Sequence, residues 1–179
     1  MLEKYEIIVS PPKYKSVTEG FFNNGKFYKK WNYTQELTPK ENVLYYDIAS
    51  RLVFCYQNGY SLMNDSYALK VAGISWEYPQ TDGDGSEPND NNVLVREVLP
   101  ERDKVVVNFS SDTTEADLRI ILKIRKMEEC SFNYYDIREG KRVTPTSYPV
   151  SDAIKAKALI DNEFIVEPFE LRFVQMIPI

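Results

Sequence analysis

Residues Lys104 to Val150 constrain this chain more than any other stretch. Val105, Val106, Val107 and Phe109 read as a buried strand, being apolar and largely β-branched. A helix start follows, with Asp112 placed to cap and Glu115 placed to answer it at the third helical position. Ala116, Ile120, Ile124 and Met127 recur on one helical face, which Leu118, Ile121 and Leu122 widen. Lys123, Arg125 and Lys126 lie towards the C-terminal end, where a helix favours cations. Leu118, Ile120, Leu122 and Ile124 would also fit a strand, and the cap decides for a helix over 113–127. Ser131–Ile137 and Arg142–Val150 then flank Arg138-Glu139-Gly140-Lys141, a tight loop with the glycine a hairpin wants.

Elsewhere the pattern is mostly that of strands. Residues 4–9 read as a strand stopped by Pro11-Pro12. The aromatic and basic stretch Phe21–Tyr33 turns at Asn23-Asn24-Gly25 and predicts a hairpin. Thr38-Pro39-Lys40-Glu41 has the form of a helix start, and Leu44, Ile48, Leu52 and Cys55 recur on one face before Asn58-Gly59. This predicts a helix over 39–57; the competing reading is two short strands at Val43–Tyr46 and Leu52–Tyr56. Tyr67–Tyr78 reads as one strand containing a glycine, Gln80–Asn92 as a polar loop, and Val93–Leu99 as another strand. Ala153–Ile160 is a strand or an irregular bridge, and Phe169–Val174 alternates as a half-buried closing strand.

Composition narrows the chemistry. The 179 residues contain no histidine, which removes the commonest general base and the commonest metal ligand together. A net charge of −5 argues against a groove that neutralises phosphates, so sequence-specific nucleic-acid binding is not expected. No run of about 18 apolar residues predicts a membrane span, and residues 1–12 have no secretory-signal pattern. Cys55 and Cys130 are far apart and are expected to be free thiols. Thirteen tyrosines and nine phenylalanines suit either a β-rich core or a protein interface.

Few residue groups suggest a reaction centre. Asp82, Asp84 and Glu87 resemble the first half of a calcium loop, with hard oxygens at alternate positions. The match fails because Glu87 stands where the loop needs glycine and Val93 where it needs a bidentate glutamate. A solvated acidic loop is the expectation, with no metal and no cofactor. No nucleophile elbow, phosphate loop or CxxC pair is present, so no catalytic residue is assigned. The rings and bases of Phe21–Tyr33 could stack single-stranded nucleic acid; the preferred reading is a hairpin with an aromatic face in a core or subunit contact.

From about Tyr67 onward, the order of features resembles a small family of tail-module structural proteins from long-tailed bacteriophages and prophages. The resemblance rests on Val71-Ala72-Gly73-Ile74, Asn92-Val93-Leu94-Val95-Arg96-Glu97, the Lys104–Phe109 strand and the Thr113–Met127 helix. Phe132-Asn133-Tyr134-Tyr135-Asp136, Gly140-Lys141, Thr144, Tyr148 and the Phe169–Val174 strand complete it. Residues 1–66 lie outside it, and the 153–165 bridge is longer than the family pattern. The resemblance implies an α+β, mainly β fold: a β-sandwich or barrel flanked by an α-helix, tail-tube-like, over 67–179. Residues 1–66 would be an N-terminal extension with a hairpin and the 39–57 helix.

The implied function is that of a non-enzymatic virion component, a tail-tube-like, tail-completion or baseplate subunit made in the bacterial host cytoplasm. It would assemble into a homo-oligomeric ring beside neighbouring virion proteins, with DNA passing through an acidic lumen. Exposed strand edges need partners, and closed rotational symmetry supplies them. The contact candidates are Phe22, Tyr28, Trp31, Arg96, Arg138, Lys141 and Arg142. The alternative is a small acidic phage or bacterial protein that binds and inhibits a host protein.

Overall fold

A computed structural model describes residues 1–78, 80–82, 87–88, 94–95, 98–100 and 102–176. The chain begins with β1 (Glu6–Ser10), which is buried throughout and ends at Pro11. Six strands follow: β2 (Ser16–Asn23), β3 (Lys26–Lys29), β4 (Asn32–Glu36), β5 (Val43–Asp47), β6 (Val53–Tyr56) and β7 (Tyr60–Leu62). They form their own sheet in the order β4-β3-β2-β5-β6-β7, antiparallel except for the β2–β5 pair. The chain returns as β8 (Tyr67–Lys70), which lies antiparallel to β1 with Tyr67 opposite Val9. Residues 11–66 are therefore an insertion in a β1–β8 hairpin. Sheet membership does not follow a division at residue 66, because β1 belongs with the later strands.

The helix expected over 39–57 is not there; β5 and β6 occupy that stretch. Leu44, Tyr46 and Val53 pack with Ile8 and Tyr14 against the larger sheet. Tyr45 and Phe54 point the other way, into an aromatic core with Phe27. Apolar residues are thus needed on both faces, and only a period of two supplies them. A helix would have buried one stripe and left the second core open. Leu37 packs on that core, and Lys40 N donates to the Tyr45 hydroxyl at 2.8 Å, so the 37–42 crossover covers it.

The remaining elements are β9 (Gly73–Glu77), β10 (Gln80–Asp82), β11 (Glu87–Pro88), β12 (Leu94–Val95), β13 (Val98–Pro100), β14 (Lys104–Phe109) and α1 (Glu115–Arg125). After the helix come β15 (Cys130–Asp136), β16 (Lys141–Val143), β17 (Thr146–Val150), β18 (Ala156–Ile160), β19 (Glu163–Val166) and β20 (Phe169–Gln175). The eight-stranded sheet runs β8-β1-β15-β17-β20-β14-β9, with β16 paired to β15. The single strand expected over Tyr67–Tyr78 is two, and they lie at opposite ends of this path. Only Val71 and Ala72 separate them, so the sheet must curl until its ends approach. Val71 N donates to Tyr5 O at 3.0 Å and Ala72 N to Asn108 O at 2.7 Å, one bond towards each end. The ladder does not join β8 to β9, so the curl is not a closed barrel.

The concave face holds the main core, with Ile7, Val9, Val107, Phe132, Leu171 and Phe173 interdigitating with Ile121 and Ile124 of α1. The rings of Phe132 and Phe173 stack at 3.8 Å. Helix α1 falls where the sequence predicts, but Thr114 is its N-cap, accepting from Asp117 N at 3.2 Å. Asp112 instead donates its own N–H to Ser110 Oγ. Leu118, Ile121 and Ile124 are the buried face, and Leu122 points outward. The structure is thus α+β and mainly β, a curled sheet flanked by one helix, with a second sheet attached. Cys55 and Cys130 are both free thiols.

The two sheets are joined by more than the chain. Ile8 on the outer face of β1 lies against Leu44 and Tyr46. Ser131 Oγ accepts from Tyr14 N at 3.2 Å and donates to Tyr14 O at 2.9 Å.

Candidate assembly surfaces

Two hairpins project from this body. In the longer one the β9–β14 ladder continues as β10–β13, with Thr81 opposite Leu99, and then as β11–β12, with Pro88 opposite Leu94. The polar loop expected over Gln80–Asn92 therefore contains strands β10 and β11, and the strand expected over Val93–Leu99 is represented by β12 and β13. Asp82 and Glu87 occupy ladder positions opposite Val98 and Val95. Asp84 and Arg96 lie outside the described residues.

The base of this long arm is stapled to the body. Trp76 Nε1 donates to Tyr135 O at 2.8 Å, and the Tyr78 hydroxyl donates to Asp136 Oδ1 at 2.5 Å. Arg138 lies with its guanidinium carbon 4.1 Å from the Tyr78 ring centroid and donates to Asp103 Oδ2 at 2.7 Å. One arginine thus grips both strands of the arm, Tyr78 on the outgoing side and Asp103 on the returning side. Burial, followed by the bond to Asp136, pushes the Tyr78 hydroxyl well above its ordinary pKa. The hydrogen bond to Asp103 raises Arg138 further.

Arg142 is also engaged within the chain. Its Nε donates to Asn133 Oδ1 at 2.6 Å, Nη1 to Glu3 O at 2.9 Å and Nη2 to Glu6 O at 2.6 Å. Burial lowers its pKa, and the role of these bonds is to fix residues 3–6 onto β15. Lys141, beside it, is exposed.

The aromatic candidates divide in the same way. Phe22 stacks on Phe54 at 4.5 Å within the core of the inserted sheet, and Tyr28 is half-buried. Trp31 is 79% exposed, and Tyr33 is 75% exposed on β4. Lys30 lies over the Trp31 ring and pairs with Glu19 at 3.0 Å, beside a cleft of about 360 Å³. Among the described contact candidates, Trp31 and Lys141 are exposed, Trp31 with Lys30 over its ring.

The shorter arm occupies the stretch expected as a strand or an irregular bridge over Ala153–Ile160 and continues past it. β18 and β19 hydrogen-bond only to each other, closing at Asp161-Asn162 with Ile160 opposite Glu163. Both turn residues have left-handed backbones, φ 50° and 64°, as a two-residue hairpin turn requires. All five β18 residues are exposed. Leu159 (60% exposed) sits opposite Phe164 (50%) on one face, and Ile160 (57%) lies on the other. The signal for this arm was present, because Asp161-Asn162 separates two apolar runs as hairpin turns do.

No family model, curated protein or solved structure matches the chain. Among the described residues, no group of three or more cysteines or carboxylates is placed to hold a metal ion, and no helix is long and apolar enough to cross a membrane.

Proposed function

We propose that this protein is a non-enzymatic virion subunit, a tail component of a long-tailed bacteriophage or prophage, which assembles through its projecting hairpins and sheet edges. The β18–β19 arm is the observation that carries this reading. A two-stranded hairpin is at best marginally stable alone in water. This one leaves Leu159, Ile160 and Phe164 outside on two faces. Covering them needs another surface. The fully exposed edge strand β4 adds a second unpaired rim.

The viral assignment rests on the resemblance of residues 67–179, and the curled sheet with its flanking helix is compatible with it. In that setting the protein is made in the host cytoplasm and works in the tail, in a ring whose acidic character (net charge −5) lets DNA pass without sticking. Its work is contact, and no bond is made or broken.

The test is size-exclusion chromatography with light scattering, together with electron microscopy of the peak. The expected result is a concentration-dependent ring or filament. Glu167 N donates to Lys155 O at 3.0 Å and the buried Val166 pairs with Ala156 at the base of the arm, so residues 157–165 can be replaced by a short glycine linker without opening the body. That deletion should leave a folded monomer. A wild-type chain that stays monomeric at every concentration and captures one host protein would replace this reading with that of an inhibitor.

A further inference from the structure

The two edges of the short arm carry opposite charge. Lys155 and Lys157 lie at and along β18, whereas Glu163 and Glu167 lie along and just after β19. All four are exposed, and none forms an ion pair among the described residues. The one other charge in the arm, Asp161, sits at the turn and belongs to both edges. Each edge also presents backbone N–H and C=O groups with no strand beside them.

We infer that the arm's partner is a second copy of this chain, joined head to tail: the lysine-bearing β18 edge of one copy pairs with the glutamate-bearing β19 edge of the next. This inference rests on the assembly reading above and gives it a direction. Because β18 and β19 are antiparallel within the arm, with one register shift at Lys157, the next copy's β19 continues the antiparallel ladder. At equal height Lys155 faces the neighbour's Glu167, and Leu159 lies beside the neighbour's Phe164, extending one apolar face from arm to arm. The two-fold alternatives are poorer. Pairing β18 with β18 gathers four lysines on one seam, and pairing β19 with β19 gathers four glutamates. A contact between unlike edges is heterologous, and such contacts build a ring where the rotation closes and a filament where it does not.

The experiment is a charge swap with rescue. One full-length variant carries Lys155→Glu and Lys157→Glu; the other carries Glu163→Lys and Glu167→Lys. Each should melt within a few degrees of wild type, since the four positions are exposed, and each alone should have the mass of a monomer. An equimolar mixture should regain assembly into particles in which the two variants alternate, because every seam then joins an acidic edge to a basic one. The inference fails if either variant assembles alone as wild type does, or if two folded variants do not rescue each other. Failure with an assembling wild type leaves the general assembly reading standing; a wild type that never assembles removes both.

Discussion

The β2–β3 and β18–β19 hairpins are closed by the same kind of turn. Asn24-Gly25 and Asp161-Asn162 each put two left-handed residues between strands, with φ of 51° and 78° in the first and 50° and 64° in the second. In the first hairpin Phe27 is fully buried, and its ring lies within 5.5 Å of Phe22, Tyr45, Phe54 and Tyr60. In the second, Leu159, Ile160 and Phe164 meet water. Local turn chemistry thus makes both hairpins, and what lies above each strand decides its role. The first finds its cover in the 37–42 crossover and in β6 and β7. The second is anchored only at its base, through the buried Val166, and nothing among the described residues covers Leu159, Ile160 and Phe164; on the reading proposed above, another molecule does.

The largest effect expected from breaking this contrast is at Phe27. Phe27→Ala should destabilise the chain by about 3–5 kcal/mol in a denaturant titration, the usual range for a buried phenylalanine. Phe164→Ala should shift the same midpoint by less than about 1 kcal/mol, while lowering the assembled fraction in light scattering. Equal losses of stability at both positions would mean that the short arm is part of the folding unit after all.

The contrast also marks what the sequence made readable. Turns and caps depend on neighbours in the chain, so the β1 stop at Pro11, the Asn24-Gly25 turn and helix α1 were visible in it. Residues 39–57 are ambiguous in the sequence, because Leu44, Ile48, Leu52 and Cys55 satisfy a helical period while Val43–Tyr46 and Leu52–Tyr56 are β-prone. The presence of a second core decided between them, and that is a tertiary fact. Strands β8 and β9 were merged because their separation depends on the curl of the whole sheet. The outgoing strands β10 and β11 of the long arm do not show in the sequence because Gln80–Asn92 is polar and carries little β-propensity. Phe22, Arg138 and Arg142 read as contact candidates in the sequence, since nothing in the chain order places Phe54, Asp103 or Glu6 beside them.

A smaller effect separates the two turns themselves. An alanine at position 25 would meet no heavy atom within 4 Å, so Gly25→Ala tests the backbone alone. It should cost about 1 kcal/mol, the penalty for a side chain at positive φ. Asn162→Gly relaxes the corresponding strain in the short arm, and its gain should appear as slower amide exchange over 156–166 with no change in global melting. A higher melting temperature from Asn162→Gly would instead couple the arm to the body.

The smallest effect concerns Tyr60, which roofs the aromatic core of the inserted sheet with its ring 4.9 Å from Phe27. Its hydroxyl is buried without a hydrogen-bond partner, and burial pushes its pKa from 10.0 up to about 12. A phenol with a raised folded pKa holds its proton more tightly in the folded state than in the unfolded one. Its contribution is therefore complete below pH 10 and is lost as pH rises through about 12. Tyr60→Phe deletes both the unpaired hydroxyl and this ionisation. Stability at neutral pH should rise by less than about 1 kcal/mol, since an apolar replacement of the same shape leaves no buried donor behind. The alkaline unfolding midpoint should move upward only in part, because Tyr14, also pushed to about 12, still ionises over the same range. An unchanged alkaline midpoint, followed by circular dichroism from pH 9 to 12.5, would show that water reaches the Tyr60 hydroxyl and that the roof over this core is open.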